Sequence, residues 1–324
     1  MLAALADGVI VVQDGHIMYA NPAASQLLGV TLPEVLSDLT PPVLGRLVAD
    51  APEDGRAEAV FERGQPARWI EAVARPLPGA GAGAVVVLHD VTERRRVEAI
   101  RRDFVADASH ELKTPAASIQ AAAETLLRAL DQDLDDARRF ARQVEAAASR
   151  LSHLVDDLLD LSRLESERPR FQSVDLVPLV GKEIDRVADR AEVGGVDLAA
   201  DLSEVTVHGS RKDLRLAVRN LVENAIAYTP VGGTVAISTG QANDQAVITV
   251  ADTGVGIPEA DLPRIFERFY RVDDARNRDT GGTGLGLAIV RHVAELHGGS
   301  VEVESDLGQR SVFRIRLPLD RAGA

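Results

Sequence analysis

Cysteine is missing from all 324 residues. That excludes disulfides, thiolate zinc sites and cysteine nucleophiles, and fits a reducing compartment. Aromatic residues make up only 3 % of the chain, too few for the stacking platforms that bind single-stranded nucleic acid. Basic residues are outnumbered, 36 against 50 acidic, for a net charge of −14, which argues against nucleic acid or an anionic membrane as partner. No apolar run approaches the roughly 18 residues that a bilayer-spanning helix needs. The opening "MLAALADGVIVVQDG" meets Asp7 too early for a signal peptide and lacks a basic start. The expectation is a cytoplasmic chain, membrane-associated only if it is a truncation that has lost an upstream segment. What remains, 45 % hydrophobic and 27 % charged, is the composition of ordinary globular domains.

The length predicts two or three domains, and the texture changes twice. Residues 1–91 carry short β-like runs, "GVIVVQDG", "HIMYA" and "GAVVVLHD", with turn signals between them. "ANPAASQLLG" reads as a turn or helix start followed by a short amphipathic helix, and Pro78 to Ala84 as a hairpin loop. Residues 92–167 contain no glycine and turn helical, with Val97, Ile100, Phe104, Ala108 and Leu112 on one stripe. The pattern breaks near residues 130–136. A second helix then places Ala137, Ala141, Val144, Ala148, Leu151, Val155 and Leu158 in alternating steps of four and three, the seam of a coiled coil or four-helix bundle. Two such helices joined by a polar turn make a hairpin, and one hairpin cannot bury so wide a stripe alone. A homodimeric four-helix bundle is the expected solution. Residues 168–324 mix amphipathic helices such as "KDLRLAVRNLVENAIAYT" with strands "GTVAIST", "QAVITVAD" and "RSVFRIRLPL".

The first long helix holds "DASHELKTPAAS". A proline in a helix interior costs roughly 3 kcal/mol, so Pro115 predicts a bend near residue 111. On a wheel of about 100° per residue, His110 falls opposite the apolar stripe and should face solvent. It reads either as a plain surface histidine or as a nucleophile. Glu111 is placed to draw off or orient an imidazole proton. Thr114 sits one turn on, on nearly the same face. A neutral imidazole nitrogen attacks phosphoryl groups well.

"SHELKTP" resembles the H-box of bacterial sensor histidine kinases, and "KTPAAS" is similar to the phosphate-regulon members. The resemblance implies that His110 accepts a phosphoryl group from ATP and passes it to an aspartate of a response regulator. Glu111 would be the base, and Thr114 would support dephosphorylation of that partner.

The downstream motifs share a nucleotide logic. "RNLVENA" puts Asn220 and Asn224 one turn apart on one helix face. Oxygen ligands suit Mg²⁺ shared with phosphates, although solvated polar positions would look the same. The stretch resembles the N-box, where Asn224 would bind Mg²⁺, Asn220 would support it, and Tyr228 would lie among the nucleotide contacts. "ADTGVGIP" ends a strand with Asp252 and two glycines, either a plain turn or a place where a ligand nears the backbone. It resembles the G1 box, with Asp252 on the adenine amino group and Gly254, Gly256 and Ile257 lining the pocket. "FERFYR", with Phe266 and Phe269, resembles the F-box. Arg271, and less well placed Arg276 and Arg278, are available to a γ-phosphate. "GGTGLGL" opens a helix with amides suited to anions, and no Lys-Ser/Thr follows to make a Walker loop. It resembles the G2 box, so Gly282, Thr283, Gly284, Leu285, Gly286 and Leu287 would hold the phosphates.

The fold implied is multidomain α+β. A PAS-like α+β sensor domain spans 1–91, as "GVIVVQDGHIMYANPAASQLLG" and "VVVLHDVTERRRVE" also suggest by resemblance. The dimerisation and phosphotransfer hairpin spans 92–167, and an α/β sandwich of the Bergerat ATPase type spans 168–324. His16 and His89 in the first part read as haem ligands or, better, as surface residues. Two departures stand out: Ala227 where the family often has Lys, and Arg310 where it often has Gly. They leave room for an ATP-binding switch with little kinase activity, and the "HELKT" order for a regulator dominated by phosphatase activity. The expectation is a homodimeric kinase using ATP and Mg²⁺, with a response-regulator receiver domain as partner.

Overall fold

The computed structural model describes residues 6–39, 42–51, 55–64, 67–77, 83–130, 133–167, 169–272 and 282–320, apart from the side chains of 100, 101 and 103. The chain divides into two compact units, residues 1–105 and 106–324.

The first unit is built on β1 (Gly8–Gln13), β2 (His16–Ala20), α1 (Pro22–Leu28), a 3₁₀ turn at Leu36–Asp38, α2 (Val43–Ala49), β3 (Ala57–Arg63), β4 (Arg68–Pro76) and β5 (Gly83–Asp90). The antiparallel sheet has the order β2-β1-β5-β4-β3. Asp14 and Gly15, both at positive φ, make the tight hairpin that twisted strands prefer. Asn21 is buried and does two jobs. Its side-chain oxygen caps α1 through the Ala24 N–H at 3.0 Å and accepts the Val9 N–H at 2.9 Å, so the helix is pinned to β1. Alternate residues of the strands, among them Ile10, Val12, Ile70, Ala72, Val86 and Leu88, form a core with Leu27, Leu28, Leu44 and Leu47. His89 pairs with Asp7 at 2.8 Å, and His16 Nδ1 lies 3.1 Å from the Asp14 carbonyl, contacts of surface histidines. Residues 78–82 of the expected hairpin loop lie outside the described residues; Gly83 and Ala84 belong to β5. The exit is tied to the sheet. The Trp69 N–H and the Thr92 hydroxyl meet at 2.9 Å, and Asp90 accepts from the Thr92 N–H and hydroxyl, which holds its carboxyl below the usual range.

The long helices are α3 (Thr92–Ala129) and α4 (Leu134–Ser166); residues 131 and 132 of the expected break lie outside the described residues. α3 is helical through Pro115. Asp133 starts α4 by accepting the N–H of Asp135 at 2.8 Å and of Asp136 at 3.4 Å. Within the chain, α4 buries only part of the line that the four-three spacing marks. Ala137 is buried, but the deep positions farther on are Ala147, Leu154, Leu161 and Leu164, while Ala141, Ala148 and Val155 are exposed. Val144, Leu151 and Leu158 are half-buried between these two lines. The apolar stripe is wider than one packing partner covers, so within the chain only its inner side is buried. On α3, Ala108 is buried, Phe104 and Leu112 are half-buried, and Val97 is exposed.

The rest of the second unit comprises β6 (Gln172–Asp175), α5 (Leu176–Val193), β7 (Asp197–Leu202), β8 (Thr206–Gly209), α6 (Arg211–Tyr228), β9 (Thr234–Ala242), β10 (Gln245–Asp252), α7 (Gly286–Leu296), β11 (Ser300–Asp306) and β12 (Arg310–Pro318). A mixed sheet runs β11-β12-β10-β9-β7, with β7 parallel to β9 and the other pairs antiparallel. The helices α5, α6 and α7 pack against it, burying Leu214, Leu221, Ile237, Ile248, Ile289 and Phe313. Among the described residues, no helix is long and apolar enough to cross a membrane.

His297, the residue that ends α7, joins three elements from a buried position. Its Nδ1 faces the Val293 carbonyl at 2.7 Å and its Nε2 accepts the Ser210 N–H at 2.9 Å. Ser210 in turn caps α6, and the ring stacks on Phe171 at 4.8 Å. This pairing defines a neutral tautomer, and burial lowers the imidazole pKa below its ordinary 6.5, outweighing the Val293 carbonyl and Asp213. The unfolded chain therefore takes up this proton first as pH falls. Stability is full above 6.5 and is lost as pH drops from there toward the depressed folded value. In thermal melts from about pH 7.5 to about pH 5.5, the wild type is expected to lose more stability than His297→Gln, which has no imidazole to protonate.

Candidate active site

Most of the nucleotide residues expected from the sequence line one cleft. Asn220, Asn224, Tyr228, Asp252, Gly256, Ile257, Arg271, Gly282, Thr283, Gly284, Gly286 and Leu287 share its walls. Gly254 and Leu285 do not line it: Gly254 is buried behind Asp252, and Leu285 is fully buried at the start of α7. Gly281, Arg276 and Arg278 lie outside the described residues.

Asp252 ends β10 with 5 % of its surface exposed. Its carboxylate accepts the Gly254 N–H at 2.9 Å and the backbone of Ser311, yet burial dominates and raises its pKa. A carboxylate held rigidly at a cleft wall suits recognition of an amino group. The loop after it is tight: Gly256 has φ +66°, and any Cβ there would fall 2.3 Å from the Asp306 carbonyl oxygen. Opposite, the Asn220 amide donates to the Leu216 carbonyl at 2.9 Å, which turns its oxygen toward α7. A Cβ on Gly286 would come within 2.8 Å of that oxygen, so any larger residue there would push the Asn220 amide aside. α7 has no side-chain cap, and its first-turn amides are left for an anion. Phe269 enters the segment before α7 at φ +61° and donates its N–H to the Gly284 carbonyl at 2.9 Å.

Among the described residues, no cluster of three or more His, Cys, Asp or Glu could hold a metal. The two asparagine side chains offer few oxygens, so a Mg²⁺ ion fits here only when phosphates and waters complete its shell. Of the two departures, Ala227 lines the cleft. Arg310 does not: it is exposed at the β11–β12 turn and pairs with Asp306 at 3.0 Å.

His110 is exposed on α3, as the wheel suggests, and neither it, Glu111 nor Thr114 lines the cleft. The Thr114 hydroxyl donates to the His110 carbonyl at 3.3 Å, a helix back-bond. His110 thus lies outside the cleft, whose lining reaches α3 at Ser118. α4 lines it with both signs of charge, Arg139, Arg142 and Arg150 together with His153, Asp156, Asp157 and Asp160. Asp157 accepts the Thr283 hydroxyl at 2.6 Å, and burial raises its pKa despite that bond. Asp160 pairs with Arg219 at 3.3 Å, Arg163 with buried Asp213 at 2.8 Å, and Arg268 with Glu165. Nothing in "LVDDLLDLSRLES" distinguishes these groups from the solvated face of an amphipathic helix.

Residues 209–321 match the family described as histidine kinase-, DNA gyrase B- and HSP90-like ATPase. Residues 100–167 match the His Kinase A (phospho-acceptor) domain and residues 2–96 the PAS fold. The sensor-like histidine kinase SenX3 of Mycolicibacterium smegmatis is 41 % identical over 285 residues, 81 % of this chain and 73 % of that protein. The SenX3 protein of Mycobacterium tuberculosis is 45 % identical over 238 residues, 72 % of this chain and 58 % of its own length. The phosphate regulon sensor protein PhoR of Pseudomonas aeruginosa is 34 % identical, covering 96 % of this chain and 72 % of PhoR. Among solved structures, the histidine kinase AdeS of Acinetobacter baumannii superposes with a TM-score of 0.51 at 27 % identity, covering 65 % of this chain and 98 % of that one. The fold also matches the histidine kinase ThkA, solved in complex with the response regulator protein TrrA, at a TM-score of 0.58, 22 % identity, and 98 % and 97 % coverage. With an ATPase cleft, an exposed histidine on a long helix and these relatives over most of its length, the chain belongs to the sensor histidine kinases of two-component systems.

Proposed function

We propose that this chain phosphorylates His110 from Mg-ATP and then passes the phosphoryl group to an aspartate of a response-regulator receiver domain. The observation that carries this is the convergence on one cleft of Asp252, the Asn220–Asn224 pair, Arg271 and the uncapped start of α7, with an exposed histidine elsewhere on the same unit. The work divides over three parts: a sensor part at 1–91, a hairpin at 92–167 and a catalytic part at 168–324.

In this reading Asp252 orients the base. The α7 amides and Arg271 hold the phosphate oxygens. Asn224, supported by Asn220, presents an oxygen to Mg²⁺, which neutralises phosphate charge. One imidazole nitrogen of His110 then attacks the γ-phosphorus as the bond to the ADP oxygen breaks, and Glu111 accepts the ring proton. Catalysis of this kind is mostly positioning and charge stabilisation. Because His110 lies outside the cleft, the catalytic part must move relative to α3 for transfer. The outer side of the hairpin supports a homodimer: Leu127, Leu134 and Val155 are exposed, and a second copy would bury them in a four-helix bundle. Thr114 supports a second activity, dephosphorylation of the regulator, once its hydroxyl leaves the His110 carbonyl to hold a water.

Three outcomes follow for purified protein. Mg-ATP labels the wild type with an acid-labile, base-stable phosphoryl group, and His110→Gln binds ATP but takes no label. Asp252→Asn weakens ATP binding by about tenfold or more in titration calorimetry, since a charged hydrogen-bond acceptor is lost. Thr114→Ala still labels at His110 but no longer speeds loss of phosphate from a phosphorylated receiver domain.

A further inference from the structure

The carboxylate of Asp157 is the feature this mechanism does not use. It comes from α4, outside the nucleotide fold, and reaches the phosphate-binding loop. There it takes the Thr283 hydroxyl at 2.6 Å, while the same oxygen of Thr283 accepts the Leu285 N–H at 3.2 Å. Both contacts lie just ahead of the amides at the start of α7. A hydroxyl and free amides are the donors a polyphosphate needs, and here a carboxylate has taken the first of them. The segment is also anchored on either side. Asp160 pairs with Arg219, the residue before Asn220, and Arg163 pairs with Asp213, which is 3 % exposed. Glu165 pairs with Arg268. The clasp holds the cleft against α4 with His110 outside it.

We propose that Asp157 is a self-inhibitory positioning residue: its carboxylate occupies the phosphate loop, repels incoming phosphates, and couples nucleotide binding to release of the catalytic part from α4. The proposal rests on the nucleotide reading of the cleft. Two negative groups competing for one set of donors cannot both be satisfied, so ATP favours the unclasped state. By linkage, weakening the clasp raises the affinity for ATP. The effect scales with phosphate charge.

The test is titration calorimetry of the full chain with ATP, ADP and adenosine in Mg²⁺ buffer, with thermal melts to verify folding. Asp157→Asn keeps the size and an acceptor oxygen but removes the charge. It is expected to tighten ATP by about three- to tenfold, ADP less, and adenosine not at all. Glu145→Gln, with the same loss of charge elsewhere on α4, exposed and outside the cleft, is expected to change ATP affinity by less than about twofold. Asp157→Ala should match Asp157→Asn. Unchanged or weaker ATP binding in Asp157→Asn overturns the proposal, as do equal gains for ATP and adenosine or an equal gain in Glu145→Gln. A wild type that binds no ATP overturns the nucleotide reading itself, and the proposal with it.

Discussion

The approach of α6 to α7 is the constraint on which the cleft depends. Gly286 lies against the Asn220 side-chain oxygen, which a Cβ there would displace, and the missing side chain lets the two helices begin close together. One consequence is that the asparagine pair of α6 and the uncapped amides of α7 face the same space. Another is that α7 can end on His297, whose ring reaches back to the backbone of the α6 cap. The same two helices are therefore tied at both ends of α7. The front tie builds an anion site, and the rear tie holds it in register with the sheet that carries Asp252.

Charge distribution explains the rest of the arrangement. The chain is acidic overall, yet its cleft must attract a polyanion. Arg271 and helix amides supply local positive potential, and the asparagines supply neutral oxygen where carboxylates would repel phosphate. Besides Asp252, the acidic groups that approach are Glu223 on α6 and Asp156, Asp157 and Asp160 on α4. Asp160 is paired with Arg219 and Arg163, at partly buried positions where pairing matters more than at the surface. Asp157 is held by a hydroxyl instead. It stands where helical packing and nucleotide chemistry compete, and the two demands favour different placements of α4 against the catalytic part.

Much of this was legible in the chain because the signals are local. Periodicity marks α3, α4 and α6, and Gly-rich turns mark the strand end at Asp252 and the entry to α7. The exposure of His110 follows from its angle to an apolar stripe. On α4 one side of the stripe, Leu154 and Leu161, meets the chain itself while Val155 stays exposed, a division that a wide stripe does not specify. Arg310 looked like a departure at the nucleotide site. Folded, it is an exposed turn residue paired with Asp306.

The sequence by itself determined the elements, the exposure of His110 and the nucleotide motifs, because helix period, capping and backbone freedom act over a few residues. Only the tertiary structure decided that the cleft is lined by α4 and leaves His110 outside. It also decided that Asp157 meets Thr283, 126 residues away. Contacts of that range depend on how completed elements pack, and an aspartate on a helix face looks the same in sequence whether it meets water or a phosphate loop.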